Sequence, residues 1–346
     1  MYRIASYPNF PLVALCLLFS SLGVFCWVLY GFKGLSSYPA FFHKNTMSLG
    51  FSGSFMLFLW FQGITLKKHH LLLLSFFYAS LCFSYSLFNT PSAGPLLGAF
   101  FTFCYLLRQK QAPKTPLPLN LIFIQSLIVL IYASLAPYLA QDFAPFWLVL
   151  AGKLSFQGVF LAAFFGCVFA ICRILYPDSK KALSFWPAFG LFLTLFGLCL
   201  EAASPIVAFK GVKLAGLCLA GVYHPPKKGN RLAFWLWLAC LFVPLSFLLS
   251  LLYPSYEIHL LHIFYVMGIS LIGLLVLSSL RCPPLSKKML LVISLLLIVA
   301  GLTRSTAIFL KGSYERHLAY AAILLIAASF YLLFYKSDSR PLSQKD

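Results

Sequence analysis

Apolar runs close to 20 residues long, separated by short stretches rich in Lys, Arg, Pro and Gly, recur from one end of the chain to the other. About 20 helical residues cross a hydrocarbon core of about 30 Å, so this rhythm predicts a chain that passes through a bilayer many times. The runs fall near 11–30, 47–64, 71–88, 93–107, 119–139, 147–172, 184–204, 208–223, 232–253, 259–280, 288–310 and 317–335. That is about twelve spans; the fourth and eighth are short or interrupted, which leaves ten or eleven open. No Gly/Ser or polar block is long enough for a soluble domain. Residues 1–346 are therefore expected to form a single transmembrane domain, an all-α polytopic helix bundle. Only Arg3 precedes the first run, with no small-residue cleavage pattern after it, so that run reads as a membrane helix.

Basic residues decide the orientation. One set of loops, together with both termini, carries eighteen Lys and Arg residues, among them Lys67, Lys68, Arg108, Lys180, Lys181, Lys227, Lys228, Lys287 and Lys288. The other set carries six: Lys33, Lys44, Lys210, Lys213, Lys311 and Arg316. The positive-inside rule then puts both termini in the cytoplasm. Because the bias alternates through all twelve spans, it also supports their number. The formal charge of +19 thus reads as a topology signal. Nucleic-acid binding would need a basic soluble face, and the chain has no segment to make one. The ten cysteines are scattered, mostly mid-helix and without a C-x-x-C, which suits small packing residues better than redox or haem-attachment chemistry.

On this topology the ionisable residues within or beside the spans gather in the outer third. His43 precedes the second span, His259 and His262 open the tenth, and His317 opens the twelfth. Lys153, Glu201 and Arg304 lie at similar depth in the sixth, seventh and eleventh spans, whereas His69, His70 and His224 fall in cytoplasmic loops. A histidine at a helix start is most often an interfacial residue, Lys153 can snorkel outward, and Glu201 is shallow enough to reach water. Arg304 is harder to place, since a guanidinium two turns deep requires an anion or a wet cavity. His259 and His262 share a helix face at i,i+3, and His43 and Met47 share one at i,i+4. Imidazole and thioether at that spacing suit haem iron or copper.

The segment His43-Lys44-Asn45-Thr46-Met47-Ser48-Leu49-Gly50-Phe51 resembles the opening of the NnrS family, where a His-x-His-Glu-Met element runs into a Gly-containing helix. Leu261-His262-Ile263-Phe264-Tyr265-Val266-Met267-Gly268 resembles that family's Leu-His-Ala-Leu-Thr helix, and Leu302-Thr303-Arg304 its Leu-Arg. Asn45 and Thr46 stand where the family has its second histidine and its glutamate, which marks a divergent member. The resemblance implies a bacterial inner-membrane protein that binds haem and copper and relieves nitric oxide stress, or otherwise serves nitrogen-oxide metabolism. His43, His262 and Arg304 are the positions that match. The expected site therefore has His43 and His262 facing each other across a haem, with Lys153 and Arg304 neutralising its propionates. His259, Met47 or Asn45 would supply a second metal or tune the first. Nitric oxide or another diatomic molecule is the expected ligand, and the bilayer is the expected surrounding partner.

Two other classes stay open. A multi-pass transporter or flippase for a small solute fits the twelve-span plan, with interrupted helices near Pro91, Pro95 and the stretch from Glu201 through Pro205 to Lys213. A non-catalytic assembly protein with an outward-facing partner surface is the third. A haem-copper oxidase subunit does not fit, since it needs about six histidines at membrane depth and the adjacent pair His69-His70 lies in a loop. There is no G-x-S-x-G, H-E-x-x-H or phosphate-binding Gly loop. With seven acidic residues in the chain, carboxylate acid–base catalysis is nearly excluded.

Overall fold

The computed structural model describes residues 9–62, 64, 66–88, 92–112, 115–142, 145–175, 185–204, 206–222, 231–280 and 286–334. Several residues used above to set orientation or to exclude a site, including Arg3, Lys180, Lys181, His224, Lys227, Lys228 and Arg281, lie outside these residues, as do Pro91 and Pro205. The described residues form helices and no strand. Twelve helical rods follow one another: α1 (Phe10–Gly31), α2 (Ala40–Trp60), α3 (Lys68–Phe88), α4 (Ala93–Gln111), α5 (Leu117–Asp142), α6 (Pro145–Leu175), α7 (Trp186–Ala203), α8 (Val207–Val222), α9 (Arg231–Leu252), α10 (Glu257–Leu280), α11 (Lys287–Thr306) and α12 (Tyr314–Phe334). Eight of them, α1, α3, α5, α6, α7, α9, α10 and α11, are long and apolar enough to cross a membrane.

Burial sorts the rods into a centre and a surround. In α6 and α10, 89% of the most apolar stretch is buried within the protein, against 39–56% in the other six long apolar rods. The last seven residues of α2, Ser54–Trp60, are all buried. α6 packs against both α2 and α10, so these three rods form the core around which the rest are laid. Outward faces of the surrounding rods carry Leu73, Phe76, Phe103, Phe192 and Phe196 to the surface, as expected where the solvent is lipid.

The three central rods share an irregularity. Each widens from α to π geometry, over Thr46–Gly53 in α2, Leu154–Gly158 in α6 and Ile263–Ile269 in α10. The π segments begin at residues 46, 154 and 263, so the pattern recurs every fourth rod. A π turn loosens the α ladder, and in hydrocarbon the carbonyls it frees need other donors. Side chains supply them: the Tyr78 hydroxyl donates to the Leu49 carbonyl and the Ser54 hydroxyl to that of Gly50. The Tyr265 hydroxyl, itself in the π segment of α10, donates to the Phe156 carbonyl in that of α6 at 3.1 Å.

Small residues set the closest helix contacts, the usual means of bringing backbones together in a membrane. A Cβ placed on Gly31 in α1 would lie 2.7 Å from the Ala319 Cβ in α12. Gly31→Val is therefore expected to cost about 1–3 kcal/mol by overpacking and to lower the midpoint of thermal unfolding in detergent. Gly152→Ala, which adds its carbon to open space, should leave that midpoint undiminished.

Candidate metal centre

The start of α2 and the start of α10 bring His43 and His262 to the Trp27 indole of α1. His43 Nδ1 donates to the Gly23 carbonyl of α1 at 2.7 Å, and His262 Nδ1 donates to the Ile258 carbonyl one turn back in its own helix at 2.7 Å. A carbonyl can only accept, so each Nδ1 carries the hydrogen and each Nε2 keeps its lone pair. This is the tautomer in which an imidazole binds a metal, with the orientation fixed by the second nitrogen.

Both imidazoles rest on the indole of Trp27, with ring centroids 4.9 Å from it for His43 and 5.6 Å for His262. Trp27 is 2% exposed, and its Nε1–H donates to the Tyr38 hydroxyl at 2.6 Å. The Met47 thioether lies alongside, held where only a glycine leaves room, since a Cβ on Gly23 would sit 2.5 Å from Met47 Sδ. Gly23 thus both accepts the His43 hydrogen bond and makes space for the sulfur.

His43, Met47 and His262 line a single small cavity, closed by Trp27, Phe156, Phe160 and Tyr265. Its volume is about 30 Å³, room for one metal ion or one diatomic molecule, where an organic ligand usually needs some 300 Å³ or more. Two imidazole nitrogens and a thioether are a soft donor set that fits copper. A porphyrin does not fit the space as packed; the Trp27 indole and the two phenyl rings would have to leave it. Among the described residues, no three His, Cys, Asp or Glu side chains are grouped as a metal cage, so Met47 is the third donor at hand.

Arg304 and His259 stand beside this cavity. Arg304 is 5% exposed, donates from Nη1 to His259 Nδ1 at 3.0 Å and lies 5.2 Å above the Trp27 ring. His259 therefore spends its Nδ1 lone pair on the guanidinium, and it does not line the cavity that holds His43 and His262. No carboxylate among the described residues is within ion-pair distance of Arg304. Its charge is met instead by two aromatic neighbours, the Trp27 face and the Tyr314 hydroxyl.

Lys153 belongs to a different cluster. Its Nζ lies 2.9 Å from Glu201 Oε2, while Lys213 Nζ lies 2.6 Å from Glu201 Oε1. Glu201, expected to be shallow, has a side chain only 1% exposed. Lys213, expected in a loop, projects from the middle of α8 toward Gln157 Oε1 at 3.4 Å and the Phe247 ring at 4.7 Å. Gly197 makes this possible: a Cβ there would be 2.6 Å from the Lys213 backbone nitrogen, so α7 and α8 touch backbone to backbone. Lys153 is thus committed to Glu201 and away from Arg304. His317 also stands apart, its Nδ1 donating to the Ser313 carbonyl at 2.9 Å.

Sequence reasoning missed Trp27, Gly23, Gln157 and the buried role of Lys213. The interruption of the eighth apolar run by two lysines was the available signal for Lys213; nothing marked Trp27 among the other aromatic residues.

No family model, curated protein or solved structure matches the chain.

Glu201→Gln removes the carboxylate between two lysines and leaves Lys213 buried without a counter-ion. The expected cost is about 3–5 kcal/mol, seen as a lower thermal midpoint in detergent. Adding Lys213→Met to that variant should recover part of the loss, because the unpaired charge goes with it.

Proposed function

We propose that the chain is a bacterial inner-membrane metal protein of the NnrS kind, with a copper centre at His43, His262 and Met47 that binds nitric oxide or a similar diatomic molecule in nitric oxide stress relief or nitrogen-oxide metabolism. On this reading all twelve rods cross the membrane, both termini are cytoplasmic and the centre lies in the outer third. The observation that carries it is the pair of imidazoles from two central rods, His262 buried and His43 half-buried. Each has its Nδ1–H tied to a backbone carbonyl, and they face one cavity with their Nε2 lone pairs free.

Copper bound there would supply a soft one-electron centre with a free position for a diatomic ligand. The protein contributes the rest. Gly23 and Ile258 fix the two imidazole tautomers, Trp27 holds both rings, and the aromatic wall keeps bulk water out. Arg304, a buried cation without a carboxylate, disfavours added positive charge in the cavity and so favours the lower-charged metal state.

Metal analysis and absorption spectra of the detergent-purified protein, oxidised and dithionite-reduced, test this. About one copper per chain, lost in His43→Ala and in His262→Ala, is the expected result. Arg304→Gln should keep the metal and lower its reduction potential. A Soret band lost in the same variants would put haem in the site instead, with the indole displaced. A colourless, metal-free protein from metal- and haem-replete cells would sink the proposal.

A carrier for a small solute is the second reading, and the buried Lys153–Glu201–Lys213 cluster favours it, because ionisable groups at membrane depth commonly mark a path. Solute uptake into vesicles that Glu201→Gln abolishes, with no metal bound, would bring that reading forward.

A further inference from the structure

At the opposite end of the central rods from the metal cavity lies a much larger one, of about 700 Å³ and open to the outside. It sits between the ends of α2, α4 and α10, the start of α5 and the second half of α6. Its wall is largely apolar, with Phe123 and Phe169 prominent, and Gln62, Gln111 and Thr115 bring amides and a hydroxyl to it.

Arg108 is the charged side chain of this wall. It comes from the last turn of α4 and is 4% exposed. One guanidinium nitrogen, Nη2, donates to the Thr115 hydroxyl, and the Cζ stands 4.7 Å over the Phe123 ring. The remaining two, Nε and Nη1, are buried with no hydrogen-bond partner. Leaving two donors of a buried cation unmet is costly, and no described carboxylate is within ion-pair reach. The first turn of α5 opens on the same cavity. Its first helical bond runs from the Asn120 N–H to the Pro116 carbonyl, so the N–H groups of Leu117 and Leu119 have no helical acceptor and the positive helix end faces the space.

We propose that this cavity is a binding site for an anionic group, a phosphate or carboxylate, carried on an apolar body, and that the Arg108 guanidinium is its counter-charge. The guanidinium lines the cavity with Nη2 tied to Thr115 and no described carboxylate beside it, so a phosphate or carboxylate supplies the missing opposite charge, and the aromatic wall accommodates the attached hydrocarbon. The site is independent of the metal centre and lies at the end of the rods where Lys67, Lys68 and Lys110 stand. An anionic phospholipid headgroup and a free anion offer the same chemistry, and the experiment separates them.

The full-length protein is delipidated in detergent, and its thermal midpoint is followed with phosphatidylglycerol, phosphatidylcholine or inorganic phosphate added. The same series is run on Arg108→Gln, Arg108→Lys and Ala170→Phe, the last filling the cavity without touching the arginine. Phosphatidylglycerol is expected to raise the wild-type midpoint by at least about 3 °C and phosphatidylcholine to raise it less. The shift should vanish in Arg108→Gln and Ala170→Phe and be kept in part in Arg108→Lys, which retains the charge without the planar set of donors. An Arg108-dependent rise with inorganic phosphate alone would support the site and assign it to a soluble anion. Equal rises in wild type and Ala170→Phe, equal rises with both lipids, or no rise with any probe would overturn the proposal. Should Arg108→Gln fail to fold, Ala170→Phe and Arg108→Lys carry the test.

Discussion

In a hydrocarbon solvent no backbone carbonyl can be left for water to satisfy, and the centre of this protein is arranged around that constraint. Three rods at the core abandon α geometry for one or two turns, and each departure creates acceptors that must be met from nearby. Tyr78 and Ser54 meet them in α2, and Tyr265 joins the loosened turn of α10 to that of α6. The cavity between His43 and His262 depends on the same rule. His43 and His262 are held by carbonyls at 2.7 Å, and that commitment of one nitrogen leaves the other free for a ligand. The aromatic density around Trp27 follows, since a site with two neutral imidazoles and a thioether needs walls that compete for neither.

Charge is handled unevenly. Twenty-six Lys and Arg residues against seven Asp and Glu mean that many buried cations cannot be matched by acids. Lys213 and Lys153 share Glu201, but Arg108 and Arg304 have no carboxylate within ion-pair distance among the described residues and lie over aromatic rings, at 4.7 and 5.2 Å. Guanidinium tolerates this better than ammonium because its charge is spread over a plane that stacks. The two unmatched arginines mark opposite ends of the central rods. One stands beside the small cavity of His43, Met47 and His262, and the other lines the large one.

Much of this was visible in the chain beforehand. The lengths of the apolar runs gave the twelve rods to within a few residues at most ends, because rod length in lipid is fixed by the thickness to be crossed. The histidines at the starts of the second and tenth runs stood out, since such residues are rare at membrane depth, and Arg304 stood out for the same reason. The sequence suggested partners less well. Lys153 was grouped with Arg304 by depth alone, yet depth does not say which side of a helix faces which neighbour, and Lys153 turns to Glu201. His259 and His262 share a face at i,i+3, but one lines the cavity and the other is taken up by Arg304.

Hydrophobic periodicity settled, from the sequence alone, that this is an all-helical chain with many apolar rods. These are properties of single segments against a uniform solvent, and local composition is enough for them. Which three rods occupy the centre, where they widen into π turns, that Trp27 carries two imidazoles and a guanidinium, and that Arg108 keeps two donors free were decided only by the tertiary structure. Each depends on residues tens to hundreds of positions apart meeting on particular faces, and that is set by the packing of small residues such as Gly23, Gly31 and Gly197 against their neighbours.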